Sequence, residues 1–498
     1  MTQYGVRLHG VKEACSVLKK FQESDLTTLV YVDPDVDGFF AAYFNIILLR
    51  ELGIKYTYYI NTHREHGFLL PIDKIAGKYN VINGDFTITE EQIDKLVKGG
   101  SNVLSMDHHD LPESEVLISK ESNGVQGVYI NNQYCFEPKE WRYLSGAQVV
   151  LYTLREVCKD LGMTNSRLFD EENIALGAIT LLSDVREIGS KTAREELKVL
   201  YESEFSGYLK RMFQGVMTGR NDYSFGVPKF DRNFIDFTFT PSINSLIRLG
   251  REVEAFKFIL GDSYPTGRKT PQQEQKEFVE RIIKSSVSKE FGKLKIIRLD
   301  ESKFYGEERD ILSNFLGLVC SKMGDGGYNT LGYVVKSDGS VNRASFRGIK
   351  TGVKYRSNLA AINGVDARGH EIAFGIKNFR PTAKILSEIV KVVNKIESET
   401  TEHINVIPMS DLNDFQTLKK IAVENGYLNN EDRVYIQYTG SLAEVVYDGE
   451  RVKRWNLGGT EVVQFNMGLD IKKDLILPSM NRKTVELILD RKTPIAVK

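Results

Sequence analysis

The run TTLVYV at 27–32 passes directly into Asp-Pro-Asp-Val-Asp-Gly at 33–38 and then into the apolar stretch FFAAYFNIILLREL. A β-branched run, an acidic turn and a long apolar segment, in that order, read as strand, loop and helix. The alternation continues with YTYYI at 56–60, VING at 81–84 ahead of a helix starting near Thr89, and NVLSM at 102–106 ahead of DHHD. It predicts a parallel sheet covered by helices. In such sheets ligands gather outside the carboxyl ends of the strands, and the acidic clusters of this chain fall just past strands.

Asp33, Asp35 and Asp37 alternate within one loop. Three converging carboxylates repel one another unless cations lie between them, which points to Mg²⁺ or Mn²⁺. Asp, Pro and Gly also build ordinary surface turns, so the hexapeptide alone does not decide. A calcium loop of the EF-hand type fails, because FFAAYFNIILL supplies no twelfth-position Glu. Asp85 follows the next apolar run in VINGDFTIT, and Asp107, His108 and His109 end the one after it. Imidazole nitrogens beside carboxylate oxygens favour Mn²⁺ over Mg²⁺. Two helical stretches follow, LSGAQVVLYTLREVCKDLG at 144–162 and EENIALGAITLLSDV at 171–185, the second carrying Asp184 near its end.

Taken in order, DPDVDG, NGD, MDHH and SDV resemble the four motifs of the DHH phosphoesterase superfamily. MDHHDLPES with YINNQ, LSGAQVVLYTL and ENIALGAI is similar to the corresponding run of its RecJ-type single-strand exonuclease branch. FTFTPSINSLIRLG resembles that branch's Pro-x-x-Asn-x-x-x-Arg segment, and RASFRGI and ARGHEIAFGI resemble paired elements of the DHHA1 domain. The resemblance covers about residues 28–380. It implies that Asp35 binds one metal ion and Asp37 the other, that Asp85 bridges them, and that His108 and Asp184 complete the ligands of the second ion. Asp33 joins the ligand set at a position near which many relatives carry a His. His109 would contact the scissile phosphate or help to protonate the leaving group, so Asp37, Asp85, His108 and His109 form the implied catalytic set. Arg343, Arg347 and His370 would clamp phosphate, each Arg able to grip two oxygens at once. Asn244 and Arg248 would join them in binding substrate. There are departures: Arg368 stands where the Gly-Gly-His element has a Gly, and no Gly precedes Arg248.

A chain of 498 residues exceeds what one core usually organises. The expected division is a parallel-sheet α/β DHH domain at 1–265, a long connecting helix within 266–292, a smaller α/β DHHA1 domain at 293–390 and a β-rich domain of OB-like type at 391–498. The helix is read from PQQEQKEFVERIIKSSVSKEF at 271–291. The last domain is read from a short helix near 413–427 and the strand-like runs RVYIQYT, AEVVYDG and EVVQFNM. Residues 206–240, rich in Gly, aromatic and basic residues, read as a loop-rich connector.

Lys and Arg total 66 against 67 Asp and Glu, so a polyanionic partner must be met by a local patch. One is available between 336 and 356, where Lys336, Arg343, Arg347, Lys350, Lys354 and Arg356 face a single acid, Asp338. Tyr223, Phe225, Phe230 and Tyr355 are candidate platforms for stacked bases. Cys15, Cys135, Cys158 and Cys320 lack CxxC spacing and fit buried free thiols in a reducing cytosol. The N-terminal MTQYGVRLHGVKEACSVLKKF has no apolar core of a secretory signal, and no window approaches the roughly 20 apolar residues of a membrane span.

The expectation is therefore a cytoplasmic enzyme, without a membrane partner, that hydrolyses single-stranded nucleic acid, DNA before RNA and 5′ to 3′, by two-metal activation of water. DNA repair or recombination would be its setting and a single-strand-binding protein or helicase its partner, with the oligomeric state left open. The alternative is a DHH phosphodiesterase or nanoRNase acting on short oligonucleotides or cyclic dinucleotides. Such enzymes generally lack the LSGAQVV and PSIN segments. A third class, a binding protein that has lost catalysis, has no physical need to hold repelling carboxylates together.

Overall fold

Strand and helix alternate along the first part of the chain. α1 (Val11–Glu23), β1 (Thr27–Val32), α2 (Val36–Glu51), β2 (Tyr56–Ile60), β3 (Tyr79–Gly84), α3 (Glu90–Lys98), β4 (Val103–Asp107), β5 (Ser119–Ser122), β6 (Val125–Asn131), α4 (Gly146–Asp160) and α5 (Glu171–Ser183) follow one another. The strands form one sheet in the order β2-β1-β3-β4-β6-β5. It is parallel except at β5, which runs antiparallel to β6. In this computed structural model the described residues are 7–62, 65–109, 119–137, 144–184, 196–197, 199–200, 207–218, 234–265, 267–324, 327–341, 343–349, 353–369 and 371–399. Beyond these, eight strand segments between 405 and 497 are described as backbone. Met1–Gln275 and Lys276–Lys498 form two units.

Burial of both sheet faces explains the near-continuous apolar strands. Leu29, Tyr31, Val81, Val103 and Tyr129 pack with Ile93, Leu96 and Val97 of α3. Their alternate neighbours Val30, Val32, Ile82 and Leu104 are buried on the side taken by α1, α2 and α4. α2 is apolar all round and buried from Val36 to Leu49, as a central helix should be. The chain order reverses at β1, which has β2 on one side and β3 on the other. The crevice at the carboxyl ends of β1 and β3 is thus the topological switch point.

The first unit continues with α6 (Tyr208–Thr218), a π-helical turn at Ile235–Phe239, α7 (Thr240–Arg248) and α8 (Glu252–Ile259). The expectation of a loop-rich connector at 206–240 is corrected by α6. Leu209, Met212, Phe213 and Val216 recur at helical spacing and are buried. Tyr223, Phe225 and Phe230 lie outside the described residues.

α9 (Pro271–Ser285) is shorter than the helix expected at 271–291. Val287–Phe291 is instead a strand, β7, turning at Gly292 (φ 63) into its antiparallel partner β8 (Leu294–Asp300). The second unit continues with α10 (Leu316–Gly324), β9 (Asn329–Val335), β10 (Arg343–Arg347), α11 (Tyr355–Ala360), β11 (Asp366–Gly369), β12 (Ala373–Lys377) and α12 (Ala383–Glu399). Its sheet has the order β11-β12-β10-β9-β8-β7, with only β8 and β9 parallel. Tyr355 is not a stacking platform: it is fully buried, its ring beside Phe346 and its hydroxyl bonded to Glu397. Beyond α12 the backbone is β-rich, in two four-stranded sheets that contain Val434–Gly440, Glu444–Asp448 and Thr460–Phe465, where the three strand-like runs lie. The helix expected near 413–427 falls outside the described residues. All four cysteines are buried and free, and no helix among the described residues is long and apolar enough to cross a membrane.

Candidate metal centre

The acidic pattern lies at or just past the ends of β1, β3 and β4, with Asp184 added from the end of α5, and its residues are held by different local devices. Asp35 caps α2, its Oδ1 accepting the Gly38 amide at 2.9 Å, which fixes the turn that carries its neighbours. Gly38 is needed there, because a Cβ would stand 2.5 Å from Asp33 Cβ and 2.6 Å from Asp33 O. Asp37, in the first turn of α2, accepts the amides of Gly146 at 2.7 Å and Ala147 at 2.9 Å. These are the unsatisfied amides at the start of α4, whose entry is set by a reciprocal Ser145–Gln148 capping box. Asp85 adopts φ 72, a left-handed conformation that Asp tolerates better than most residues. Its amide donates to Met106 O at 3.0 Å, which ties the end of β3 to β4.

His108 is positioned at both ring nitrogens. Nδ1 stands 3.2 Å from Leu144 O, and Nε2 stands 3.0 Å from Asp85 Oδ1. The carbonyl can only accept, so it holds the proton on Nδ1 and leaves Nε2 as a ligand atom. Two donors on one ion, bonded at about 2.1 Å and at right angles, lie about 3.0 Å apart. Asp184, the C-cap of α5, brings Oδ2 to 3.8 Å from His108 Nδ1. The buried Asp107 does not join the ligands. It takes Tyr129 OH at 3.1 Å, Thr87 Oγ1 at 2.5 Å and His109 Nδ1 at 2.8 Å. His109 is 55% exposed, at the rim.

The electrostatics are those of an anionic cavity. Burial, then repulsion from Asp184 and Asp35, raises the Asp37 carboxyl well above its usual range, against the two α4 amides. Burial, then Asp37, Asp35, Asp33 and Asp184, does the same at Asp85. Burial also raises Asp33, opposed by His66. Asp33 is 1% exposed, and its Oδ1 has no hydrogen-bond partner. Partial burial works against charge on His109, but Asp107, then Asp184 and Asp33, raise it to about 9. Burial is opposed at Asp107 too, where His109, Thr87 and His108 hold the carboxyl well below the usual range.

Three sets of side chains offer ligand atoms within 4.8 Å of one another: Asp33, Asp35 and His66; Asp37, His108 and Asp184; and Asp85, His108 and His109. A buried, partnerless carboxylate oxygen and mutually repelling acids fit divalent cations, and the nitrogen and oxygen donors suit Mn²⁺ as well as Mg²⁺. The sequence reading missed His66. Nothing local marks it: His66 lies six residues beyond Ile60, the end of β2, and next to Glu65.

The remaining substrate-binding candidates are dispersed. Asn244 and Arg248 lie one turn apart on α7, both half-buried, and Arg248 donates to Gln275 Oε1 at 3.0 Å. Arg343 is exposed at the start of β10. Arg347, on the same strand face, donates to Ser345 Oγ at 3.0 Å and Phe346 O at 2.7 Å. Arg356 is engaged by Glu371 at 3.0 Å, which removes it from the basic patch. Arg368 pairs with Asp366 at 3.0 Å. His370 and Lys350 lie outside the described residues.

No protein-family model and no curated protein matches this sequence. Among solved structures the chain is similar to RecJ from Thermus thermophilus in complex with Mn²⁺, with a TM-score of 0.62 and 15% identity over 98% of this chain and 72% of that one. It is also similar to exonuclease RecJ bound to manganese, with a TM-score of 0.54 and 17% identity over 79% of this chain and 96% of that one. The Mg²⁺ complex of the Thermus protein gives a TM-score of 0.54 and 14% identity over 98% and 70% of the two chains. The chain has the fold of these proteins.

Proposed function

We propose that this chain is a metal-dependent phosphodiesterase of the exonuclease type, acting on single-stranded DNA from the 5′ end. The observation that carries the reading is the gathering of Asp33, Asp35, Asp37, Asp85, His108 and Asp184 at the switch point of a RecJ fold. Asp33 and Asp35 would hold one ion, Asp37, His108 and Asp184 the other, and Asp85 would lie between them. When bound, such ions supply an activated water and neutralise charge on the phosphoryl oxygens.

The rest of the chemistry belongs to the chain. Asp37 is fixed by the α4 amides and His108 by Leu144 O, so neither needs to reorganise when substrate arrives. His109, whose charged form Asp107 favours and whose ring Asp107 orients, is the donor for the scissile phosphate or the leaving oxygen. Arg343, Arg347 and His370, together with Asn244 and Arg248, are assigned to substrate binding. The setting is DNA repair or recombination in the cytoplasm, with a single-strand-binding protein or helicase as partner.

Digestion of 5′- and 3′-end-labelled single strands by the full chain with Mn²⁺ tests this. Stepwise shortening from the 5′ end is expected. Cleavage of dinucleotides with long strands left intact would overturn it in favour of a short-oligonucleotide phosphodiesterase, and binding without cleavage in favour of an inactive scaffold.

A further inference from the structure

We propose that His66 is itself a metal ligand, joining Asp33 and Asp35 around one divalent ion so that both metal positions contain an imidazole. The inference rests on the metal-centre reading and adds a residue that the resemblance does not supply.

His66 Nδ1 stands 2.5 Å from Asp33 Oδ2, and the three side chains offer ligand atoms within 4.8 Å of one another. Donors around one ion with bonds of about 2.1 Å lie between about 3.0 Å and about 4.2 Å apart, so His66 Nδ1 and Asp33 Oδ2, now at hydrogen-bonding distance, share an ion once they separate by about 0.5 Å. Asp33 supplies the independent sign of a missing cation: it is 1% exposed, and its Oδ1 is buried without a hydrogen-bond partner.

The imidazole is delivered by packing that does not involve the acids. Tyr31, fully buried in β1, donates to Asn61 Oδ1 at 2.7 Å and accepts the amides of Leu69 at 3.0 Å and Leu70 at 3.3 Å. Asn61 Nδ2 donates in turn to Gly67 O at 2.7 Å. The chain on both sides of His66 is thereby tied to β1, and the loop that carries the ring is held in place.

A competing role is that of a counter-ion, an imidazolium that merely neutralises Asp33. The two roles have opposite signs. A ligand adds affinity for a cation, whereas an imidazolium competes with it. An imidazole at each position also favours Mn²⁺ over Mg²⁺ at both.

The test is Mn²⁺ titration of the full chain, wild type, His66→Ala and His66→Gln, followed by the EPR signal of free Mn²⁺, with pulsed EPR for ¹⁴N coupling and circular dichroism for the fold. Wild type should bind two Mn²⁺ per chain, both with nitrogen coupling. In the variants one of the two should weaken by about 10–100-fold or more and lose its nitrogen coupling, with a smaller loss for Mg²⁺. Two Mn²⁺ bound with unchanged or raised affinity in His66→Ala would overturn the assignment and leave His66 a counter-ion. Absence of Mn²⁺ binding by the wild type would overturn both the assignment and the metal centre. Normal binding without cleavage of single strands would overturn the exonuclease reading while leaving His66 a ligand.

Discussion

Gly146 lies directly against Asp85: a Cβ at position 146 would stand 2.3 Å from Asp85 Oδ1 and 2.7 Å from its Cα. The same residue donates its amide to Asp37, so the first residue of α4 sets the distance between a carboxylate in the first turn of α2 and one at the end of β3. Gly146→Ala should push α4 away from both. An overpacking cost of about 1–3 kcal/mol is expected in chemical denaturation, with turnover lowered about 100-fold by the displaced carboxylates. Turnover at the wild-type level would show that the close approach is not needed.

Asp107 is expected to act through His109 and not on metal. Asp107→Asn should lower kcat/KM by about 10–100-fold while both Mn²⁺ still bind. Thr87→Val, which removes one hydrogen bond to the same carboxylate, should fall between it and wild type. Loss of Mn²⁺ in either variant, read by calorimetry, would place Asp107 among the ligands instead.

The buried carboxylates should make the metal-stripped protein acid-favoured. Asp37 and Asp85 are raised above the values of an unfolded chain. Between about pH 4 and their folded values the native state holds more protons than the unfolded state, so its stability falls as pH rises. Melting with EDTA should show this decline. Asp85→Asn should flatten it, and saturating Mn²⁺ should reverse it, adding about 2.7 kcal/mol at 100 times Kd. An EDTA melting profile that rises across this window in wild type would contradict the raised values.

Arg347 and Arg356 should separate in single-strand binding. Arg347→Ala should weaken binding and lower the salt slope by about one, whereas Arg356, already engaged by Glu371, should change little on substitution. Fluorescence anisotropy over a salt series measures both. Equal effects would show that the basic run acts as an undifferentiated patch.

What was legible in the sequence was local. The strand ends, the helix starting near Thr89, the helix within 144–162 and the strand-end positions of Asp33, Asp35, Asp85 and His108 follow from hydrophobic period and turn chemistry, whereas the choice of Asp184 rests on the resemblance. His66 was not legible, because hydrogen bonds from Tyr31 and Asn61 bring its loop to Asp33. Tyr355 looked like a base platform because burial depends on the strands beside it, among them Phe346. Asp107 was visible as a neighbour of His108, but only the sheet's alternation turns it toward Tyr129 and Thr87. α6 was hidden by the Gly-rich and basic composition around it, although its four buried apolar residues keep a helical spacing.

The most direct measurement is turnover of single-stranded DNA by Asp85→Asn beside wild type, at saturating Mn²⁺ with the fold checked by circular dichroism. Asn accepts the left-handed backbone at this position, so the substitution removes charge and leaves the turn. A native fold with turnover reduced at least about 1,000-fold is the expected result. Turnover equal to wild type would contradict a two-metal centre built around Asp85.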